Sequence, residues 1–202
     1  MTKGKMDKLC KNTLNIYTNI SCDILELSSI NNGICIDIGT GPAFLAIEIA
    51  KNSDLEIYAT DISSEMLRIA RENIKKEKLE NRITPLVADV HNLPFENNFA
   101  DLIVSRGSMF FWKDMITAFN EIDRTLKKGG FAYIGGGYGN SGLDKIHKKY
   151  RRSLKQTDNN IKEIKKPPKI STNKLNDCLN STNILNYKII NDKTGLWIHI
   201  HK

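Results

Sequence analysis

The stretch ICIDIGTGPAFLAIEIAKN, residues 34–52, limits the possible folds more than any other part of the sequence. It begins with a short β-branched run, passes through two glycines separated by one residue, and ends in a segment of helical periodicity. A run of this kind is typical of a parallel strand that is covered on both faces. Pro42 stands where a helix is expected to begin. The stretch therefore predicts a strand, a tight turn and a helix, the first unit of a parallel α/β sheet.

The same alternation continues along the chain. Four further strands are predicted, at residues 55–60, 83–88, 101–105 and 131–135. The helix before the last of these is expected to end in a basic turn with a glycine C-cap, at Lys127–Gly130. Two C-terminal strands joined by NDKTG predict an antiparallel hairpin. The predicted fold class is α/β, a Rossmann-like, doubly wound and mostly parallel seven-stranded sheet with an antiparallel C-terminal hairpin.

Composition favours one soluble globular domain. The chain has 202 residues, of which 40% are hydrophobic and 26% charged, enough for one full core but not for two ordinary domains. No apolar run is long enough to span a bilayer and no signal peptide is evident, so we expect a cytoplasmic protein without a membrane partner. The four cysteines are scattered, which favours reduced thiols and predicts no metal site.

The positive charge is concentrated in one segment. The chain carries a net charge of +7, and residues 145–174 contain eleven basic residues but only Asp158 and Glu163 as acidic ones. This segment is interpreted either as solvated surface or as an electrostatic footprint for nucleic acid or another anion.

The turn after the first strand is suited to a nucleotide. Gly39 and Gly41 allow the backbone to approach a ligand closely, and Asp37 precedes them. A dinucleotide fingerprint would need a small residue at position 44, but Phe44 stands there, which argues against NAD. Ala43 is a small residue that lets helix and strand pack.

Two more carboxylates follow the next strands. Asp61 lies twenty-four residues after Asp37, where it can accept hydrogen bonds from ribose hydroxyls. Asp89 follows the third strand, where it can accept from an exocyclic amine. Because the carboxyl ends of parallel strands meet at one edge of a sheet, we expect all three to line one crevice.

The motifs DIGTGPA, ATDISSEML, VADVHNLPFENNFADLIVS and FNEIDRTLKKGGFAYI occur in this order. Together they resemble the class I S-adenosylmethionine-dependent methyltransferases, in a branch similar to the ubiquinone and menaquinone biosynthesis enzymes. The resemblance covers residues 34–135 and departs from the family pattern at Ala43, where a third glycine is usual. It implies a single domain over residues 1–202, with a helical lid at 1–30, a cofactor-binding core at 31–142, and a basic helix, linker and hairpin at 143–202.

The resemblance also implies S-adenosyl-L-methionine as cofactor. The residues that match cofactor-binding positions are Asp37, Gly39, Thr40, Gly41, Asp61, Ile62, Asp89, Val90 and Ser105. The implied reaction is methyl transfer to a small-molecule acceptor by in-line displacement at the sulfonium methyl, and no residue is assigned as catalytic. The alternatives are an RNA or protein methyltransferase that docks through residues 145–174, and a scaffold that binds cofactor without turnover.

Four residues are candidates for the acceptor pocket: Tyr17, Arg106, Phe110 and Tyr138. Arg106 could bind a carboxylate or phosphate of the substrate, or the carboxylate of the cofactor. It could equally pair with a structural acid such as Asp101 or Asp114.

Other side chains near the crevice have both a structural and a functional interpretation. The aromatic residues in Met109–Trp112 could wall a pocket, although core packing is the commoner outcome. His91 could act as a base but is expected to face solvent. His199 and His201 share a strand face, as a metal pair would, but a surface strand is favoured because no third ligand is evident.

Overall fold

The computed structural model describes residues 16–137 and 170–202. Within these ranges the sheet has seven strands in the order β3-β2-β1-β4-β5-β7-β6. The strands are β1 Ile34–Ile38, β2 Glu56–Asp61, β3 Ile83–Val87, β4 Ala100–Arg106, β5 Leu126–Gly137, β6 Tyr187–Asp192 and β7 Gly195–His201. Only β7 runs antiparallel to its neighbours β5 and β6. The predicted fold class is confirmed.

Helices cover both faces of this sheet. They are α1 Ile16–Ser28, α2 Phe44–Asn52, α3 Ser64–Lys76, α4 Met115–Thr125 and α5 Thr172–Asn180, with a short 3-10 helix at Met109–Phe111. Apolar residues of α1, α2 and α3 share one buried cluster with one face of the sheet. Those of α4 and α5 share a second cluster with the other face. The central strands β1 and β4 are therefore almost completely buried, as expected for parallel strands covered on both faces, whereas the edge strands β3 and β6 are partly exposed.

Side chains at the helix starts fix where the helices begin. Ser63 accepts a hydrogen bond from the backbone N–H of Met66 at the start of α3, and Ser171 accepts one from Lys174 at α5. Asp114 accepts from both Ile116 and Thr117 at α4. These bonds satisfy N–H groups that have no partner inside the helix.

The predicted helix end at Lys127–Gly130 is wrong. Helix α4 ends at Thr125, and strand β5 begins at the next residue. The Lys127 ammonium contacts both carboxylate oxygens of Asp101 on β4, at 3.0 and 2.8 Å. Pairing with β4 shifts register in this region, from Ala100 opposite Leu126 to Leu102 opposite Phe131. Residues 127–130 thus form an irregular part of β5 without register partners in β4, in place of the helix C-cap that the local sequence favours.

Two further expectations are corrected. His199 does not lie on the surface: it is buried, and its ring stacks on Tyr133 with 4.6 Å between centroids. Burial, together with the nearby charges of Lys188 and His201, lowers the pKa of His199 to about 4. Cys22 is disulfide-bonded rather than a free thiol.

Some predictions concern residues that the structure does not describe. Tyr138 and residues 145–169 of the basic segment are among them. Within the described ranges, no helix is both long and apolar enough to cross a bilayer. Within the same ranges, no cluster of three or more His, Cys, Asp or Glu residues has the arrangement of a metal site.

Candidate active site

The candidate site lies where β1, β2, β3 and β4 reach their carboxyl ends. Because these strands are parallel neighbours, the loops that follow them emerge at the same edge of the sheet. The loop after β1 is tied directly to β2, since the backbone N–H of Thr40 donates to the carbonyl of Thr60 over 2.9 Å. This edge is the position at which open α/β sheets bind their ligands.

The turn after β1 requires glycine at Gly39 for two reasons. Its φ of 66° lies in the left-handed region, and a Cβ atom there would come within 2.3 Å of the Cβ of Ser108. Gly41 is also left-handed, with a φ of 54°, but a Cβ there would meet nothing within 4 Å. The turn is therefore closed against the loop after β4 at Gly39 and open at Gly41.

Asp37 organises this turn from inside the protein. Its side chain is buried and accepts a hydrogen bond from the Thr40 hydroxyl over 2.6 Å. Burial is the main reason that the pKa of Asp37 is raised to about 7; the bond from Thr40 opposes the shift, the neighbouring charge of Asp61 adds to it, and the bond from the backbone of Ala46 opposes it. Asp37 therefore holds the turn and the first residues of α2 together.

Ala43 occupies the position where the family pattern usually has glycine. Its φ is 64°, in the left-handed region, and its side chain is fully buried. A left-handed conformation costs a residue with a Cβ about 1–2 kcal/mol. The buried methyl group, which contributes roughly 0.8 kcal/mol, offsets part of that cost.

Asp61 binds backbone groups of two loops and keeps acceptor positions available for a ligand. One carboxylate oxygen accepts the N–H of Gly41 and the other accepts the N–H of Ser63, each over 2.9 Å. A carboxylate offers about four lone-pair positions, so about two remain for a ligand. The next residue, Ile62, is 71% exposed, which gives the site an apolar surface beside this carboxylate.

Asp89 is held by His91. The backbone N–H and the ring Nδ1 of His91 both contact the same oxygen, Oδ1, which leaves Oδ2 as the freer acceptor. The bonds from His91 hold the pKa of Asp89 below its usual range. The other ring nitrogen, Nε2, accepts the backbone N–H of Asp114 at the start of α4. His91 therefore bridges Asp89 and the start of α4 with both ring nitrogens engaged. Val90, between Asp89 and His91, is a core residue.

Two serines connect the loops after β1 and β4. Ser105, at the end of β4, is buried, and its hydroxyl lies 2.6 Å from that of Ser108. The Ser108 hydroxyl also donates to the carbonyl of Ile38 on β1. No local sequence signal distinguishes Ser108 as a bridge, because its partner lies seventy positions earlier.

The structure brings Arg106 and Tyr17 together, although they are 89 positions apart. The guanidinium carbon of Arg106 lies 4.8 Å from the centre of the Tyr17 ring, and Nη1 lies 3.4 Å from its hydroxyl. Nη2 donates to the carbonyl of Gly137, at the end of β5, over 3.0 Å. The Tyr17 ring in turn contacts Phe44, which is half exposed at the start of α2.

The alternative in which Arg106 pairs with a structural acid is wrong for both candidates named. Asp101 pairs with Lys127, and Asp114 caps α4. Within the described ranges, Arg106 forms no ion pair with any carboxylate. Its Nε is buried and has no hydrogen-bond acceptor there.

The aromatic segment after β4 divides between core and site. Met109 is fully buried, and Trp112 packs edge-on against Phe119 in the core. Phe110 is half buried and lies against Gly136 of β5, where an added Cβ would approach its ring within 2.7 Å. Phe111 is 62% exposed. Phe110 is thus the aromatic residue of this segment that lies beside the end of β5.

Comparisons with known proteins agree with this geometry. A family described as "Methyltransferase domain" matches residues 36–134. The crystal structure of a candidate S-adenosyl-L-methionine-dependent methyltransferase from Methanococcus maripaludis is similar over 98% of this chain and 91% of that one, with 43% identity and a TM-score of 0.81.

Two relatives are named for the small molecules on which they act. Phosphoethanolamine N-methyltransferase 2 from Haemonchus contortus, solved with phosphomonomethylethanolamine and S-adenosylhomocysteine, is 27% identical, with a TM-score of 0.64 over 86% of this chain and 38% of that one. Demethylmenaquinone methyltransferase from Porphyromonas gingivalis is 31% identical over 96 residues, which are 46% of this chain and 39% of that protein. The chain spans about a third of the length of the first curated relatives that it matches.

Proposed function

We propose that this chain, which belongs to the S-adenosylmethionine-dependent methyltransferase family, transfers a methyl group from S-adenosylmethionine to a small-molecule acceptor. The observation that carries methyl transfer is a set of three carboxylates at one edge of the sheet: Asp37 near the end of β1, Asp61 at the last position of β2 and Asp89 just after β3. The acceptor class is supported by relatives that are named for small-molecule substrates.

Each cofactor-binding position has a distinct proposed role. The turn at Gly39, Thr40 and Gly41 binds the methionine end, with Asp37 as a buried positioning residue, and Ser105 lies near that end. Asp61 accepts from the ribose hydroxyls through the lone pairs that Gly41 and Ser63 leave available. Ile62 packs against the nucleoside. Asp89 accepts from the adenine amine through Oδ2, beside the backbone of Val90.

The protein's main contribution to the reaction is alignment. S-adenosylmethionine supplies an electrophilic methyl group on a sulfonium, which is a good leaving group. The chain must therefore bind the acceptor so that its nucleophilic atom, the methyl carbon and the sulfur lie in line, at a separation of about 3–3.5 Å between reacting atoms. A general base is needed only for an acceptor whose proton must leave early, and none is assigned here.

The test is to incubate the protein with methyl-labelled S-adenosylmethionine and a cell extract separated into small molecules, RNA and protein. Label in the small-molecule fraction supports the proposal. Label confined to RNA or protein would favour docking through residues 145–174, and cofactor binding without label in any fraction would favour a non-catalytic scaffold. A variant such as Asp61→Ala, in which we expect both cofactor binding and label transfer to be lost, controls for contaminating enzymes.

A further inference from the structure

Arg106 is held in place by neutral groups rather than by a counter-ion. The carbonyl of Gly137 and the hydroxyl of Tyr17 contact its terminal nitrogens, and the Tyr17 ring lies against the guanidinium. Within the described ranges, no carboxylate pairs with it. A partly buried cation without an opposite charge is costly, so the fold keeps this charge at the site edge at the expense of stability.

The hydrogen-bonding state of the guanidinium points to a particular kind of ligand. An arginine side chain carries five N–H donors. Gly137 and Tyr17 accept two of them, and the Nε donor is buried. One donor then remains on each terminal nitrogen, an arrangement that matches two oxygens of one carboxylate or phosphate group.

The position of Arg106 in the sheet indicates which molecule carries that anion. The cofactor-binding loops follow β1, β2 and β3, which all lie on one side of β4. In an in-line displacement the acceptor approaches the methyl group from the side opposite the sulfur. Nη2 of Arg106 reaches the carbonyl of Gly137 at the end of β5, on the other side of β4 from the cofactor loops, while Nη1 contacts Tyr17 of α1. The guanidinium therefore lies at the border between the cofactor loops and the β5 side of the site.

We infer that the methyl acceptor is a small anion, whose carboxylate or phosphate group binds the two terminal nitrogens of Arg106 with Tyr17 beside it. Phe110, against the end of β5, supplies an apolar wall for the rest of the acceptor. This inference rests on the proposed function, because it describes the substrate of the same site. It makes Arg106 a specificity-determining residue.

The acceptor can be classified before it is identified. A metabolite extract is passed over an anion exchanger at about pH 10, at which α-amino groups are largely neutral, so that amines do not mask acidic groups. S-adenosylhomocysteine release is then measured with the retained and the unretained fraction, both returned to neutral pH. We expect turnover with the retained fraction.

Variants test the role of Arg106 itself. For Arg106→Gln, the amount of retained fraction that gives half-maximal rate should rise by about 10- to 100-fold, as expected for loss of a charge-assisted, two-point contact. Arg106→Lys keeps the positive charge but loses the planar pair of terminal nitrogens, so it should show a smaller rise. Arg71→Gln, an exposed site on α3, is the matched control and should behave as the unmodified protein. Thermal unfolding of each variant establishes that it is folded. If Arg106→Gln does not fold, the comparison is made with Arg106→Lys alone.

Titration calorimetry distinguishes the two sources of the anion. If Arg106 binds the acceptor, the affinity of Arg106→Gln for S-adenosylmethionine should stay within about threefold of that of the unmodified protein. A loss of affinity of about tenfold or more would mean that Arg106 binds the carboxylate of the cofactor, and it would overturn the inference. Turnover confined to the unretained fraction would also overturn it. Turnover with neither fraction contradicts the proposed function itself, and the inference falls with it.

Discussion

The two halves of the site edge are built in different ways. On the side of β1 and β2, Asp37, Thr40, Gly41 and Asp61 bond to one another and to nearby backbone groups. On the side of β4 and β5, Arg106 is contacted by groups from α1 and β5 that are distant in the sequence. The first, which we call the cofactor half, is stabilised by hydrogen bonds among its own residues. The second, which we call the acceptor half, contains the Arg106 charge, which has no carboxylate partner among the described residues.

This difference separates stability from specificity. Substitutions in the cofactor half should lower the free energy of unfolding, because they disturb a turn that the fold itself needs. Substitutions in the acceptor half should change turnover with little effect on stability. The predictions below test that separation, starting with the largest expected effect.

Gly39→Ala should be the most damaging single methyl group at this edge. The added Cβ would lie 2.3 Å from the Cβ of Ser108, and the backbone of the new alanine would have to keep the left-handed φ of 66°. We expect a loss of about 3–5 kcal/mol in the free energy of unfolding, from conformational strain and overpacking together. Urea denaturation monitored by circular dichroism measures it.

Gly41→Ala is the matched control, because it has similar strain but no atom within 4 Å of the added Cβ. We expect it to lose only about 1–2 kcal/mol. Removing the Ser108 side chain in the double variant Gly39→Ala/Ser108→Gly should restore part of the stability, beyond additivity. Equal losses at Gly39 and Gly41, with no rescue, would contradict a clash at Ser108.

Asp37→Asn should change how stability depends on pH. Because the pKa of Asp37 is raised from 3.8 to about 7 in the folded protein, the folded state keeps a proton that the unfolded chain has already released. This contribution to stability is fully present below about pH 4 and is lost as pH rises towards 7. The loss amounts to roughly 4 kcal/mol, and asparagine cannot titrate.

The measurement compares urea unfolding of the cofactor-free protein and of Asp37→Asn at several pH values. The difference in unfolding free energy between the two should move in favour of Asp37→Asn as pH rises from about 4 to 7. Parallel profiles across this range would mean that Asp37 is ionised in the folded protein throughout.

Much of the cofactor half could be predicted from the sequence because its signals are local. Asp37, Asp61 and Asp89 each lie at or near the end of a strand that is recognisable by itself, and the carboxyl ends of parallel strands meet by geometry alone. The prediction at Lys127–Gly130 was wrong because it was local as well. There, the ion pair of Lys127 with Asp101 and the irregular start of strand β5 take the place of a helix C-cap.

The acceptor half could not be predicted because its contacts are long-range. Arg106 and Tyr17 were each candidates for the pocket, but nothing in either segment indicates that they meet across 89 positions. His199 is a similar case, since its burial against Tyr133 depends on the pairing of β7 with β5. Side chains that converge from separate elements require the folded structure.

His91→Ala tests the connection between the cofactor half and α4. It removes the side-chain bond to Asp89 and the acceptor for the backbone N–H of Asp114. We expect a loss of about 1–2 kcal/mol in stability. We also expect weaker binding of S-adenosylmethionine by titration calorimetry, because Asp89 keeps only the bond from the backbone N–H of residue 91. Asn92→Ala, an exposed neighbour, is the control. Unchanged affinity would separate the orientation of Asp89 from cofactor binding.

Tyr17→Phe should have the smallest effect on stability and yet affect turnover. It removes a hydroxyl that lies 3.4 Å from Arg106 and keeps the ring beneath the guanidinium, so the free energy of unfolding should fall by no more than about 1 kcal/mol. The rate of S-adenosylhomocysteine release should fall by roughly 3- to 10-fold, because the hydroxyl no longer helps to fix Arg106. Tyr17→Leu, which also removes the ring, should reduce the rate further, since the cation–π contact is lost as well. If Tyr17→Phe instead loses stability and keeps its rate, Tyr17 has a structural role. Stability and specificity would then not be separated between the two halves at α1.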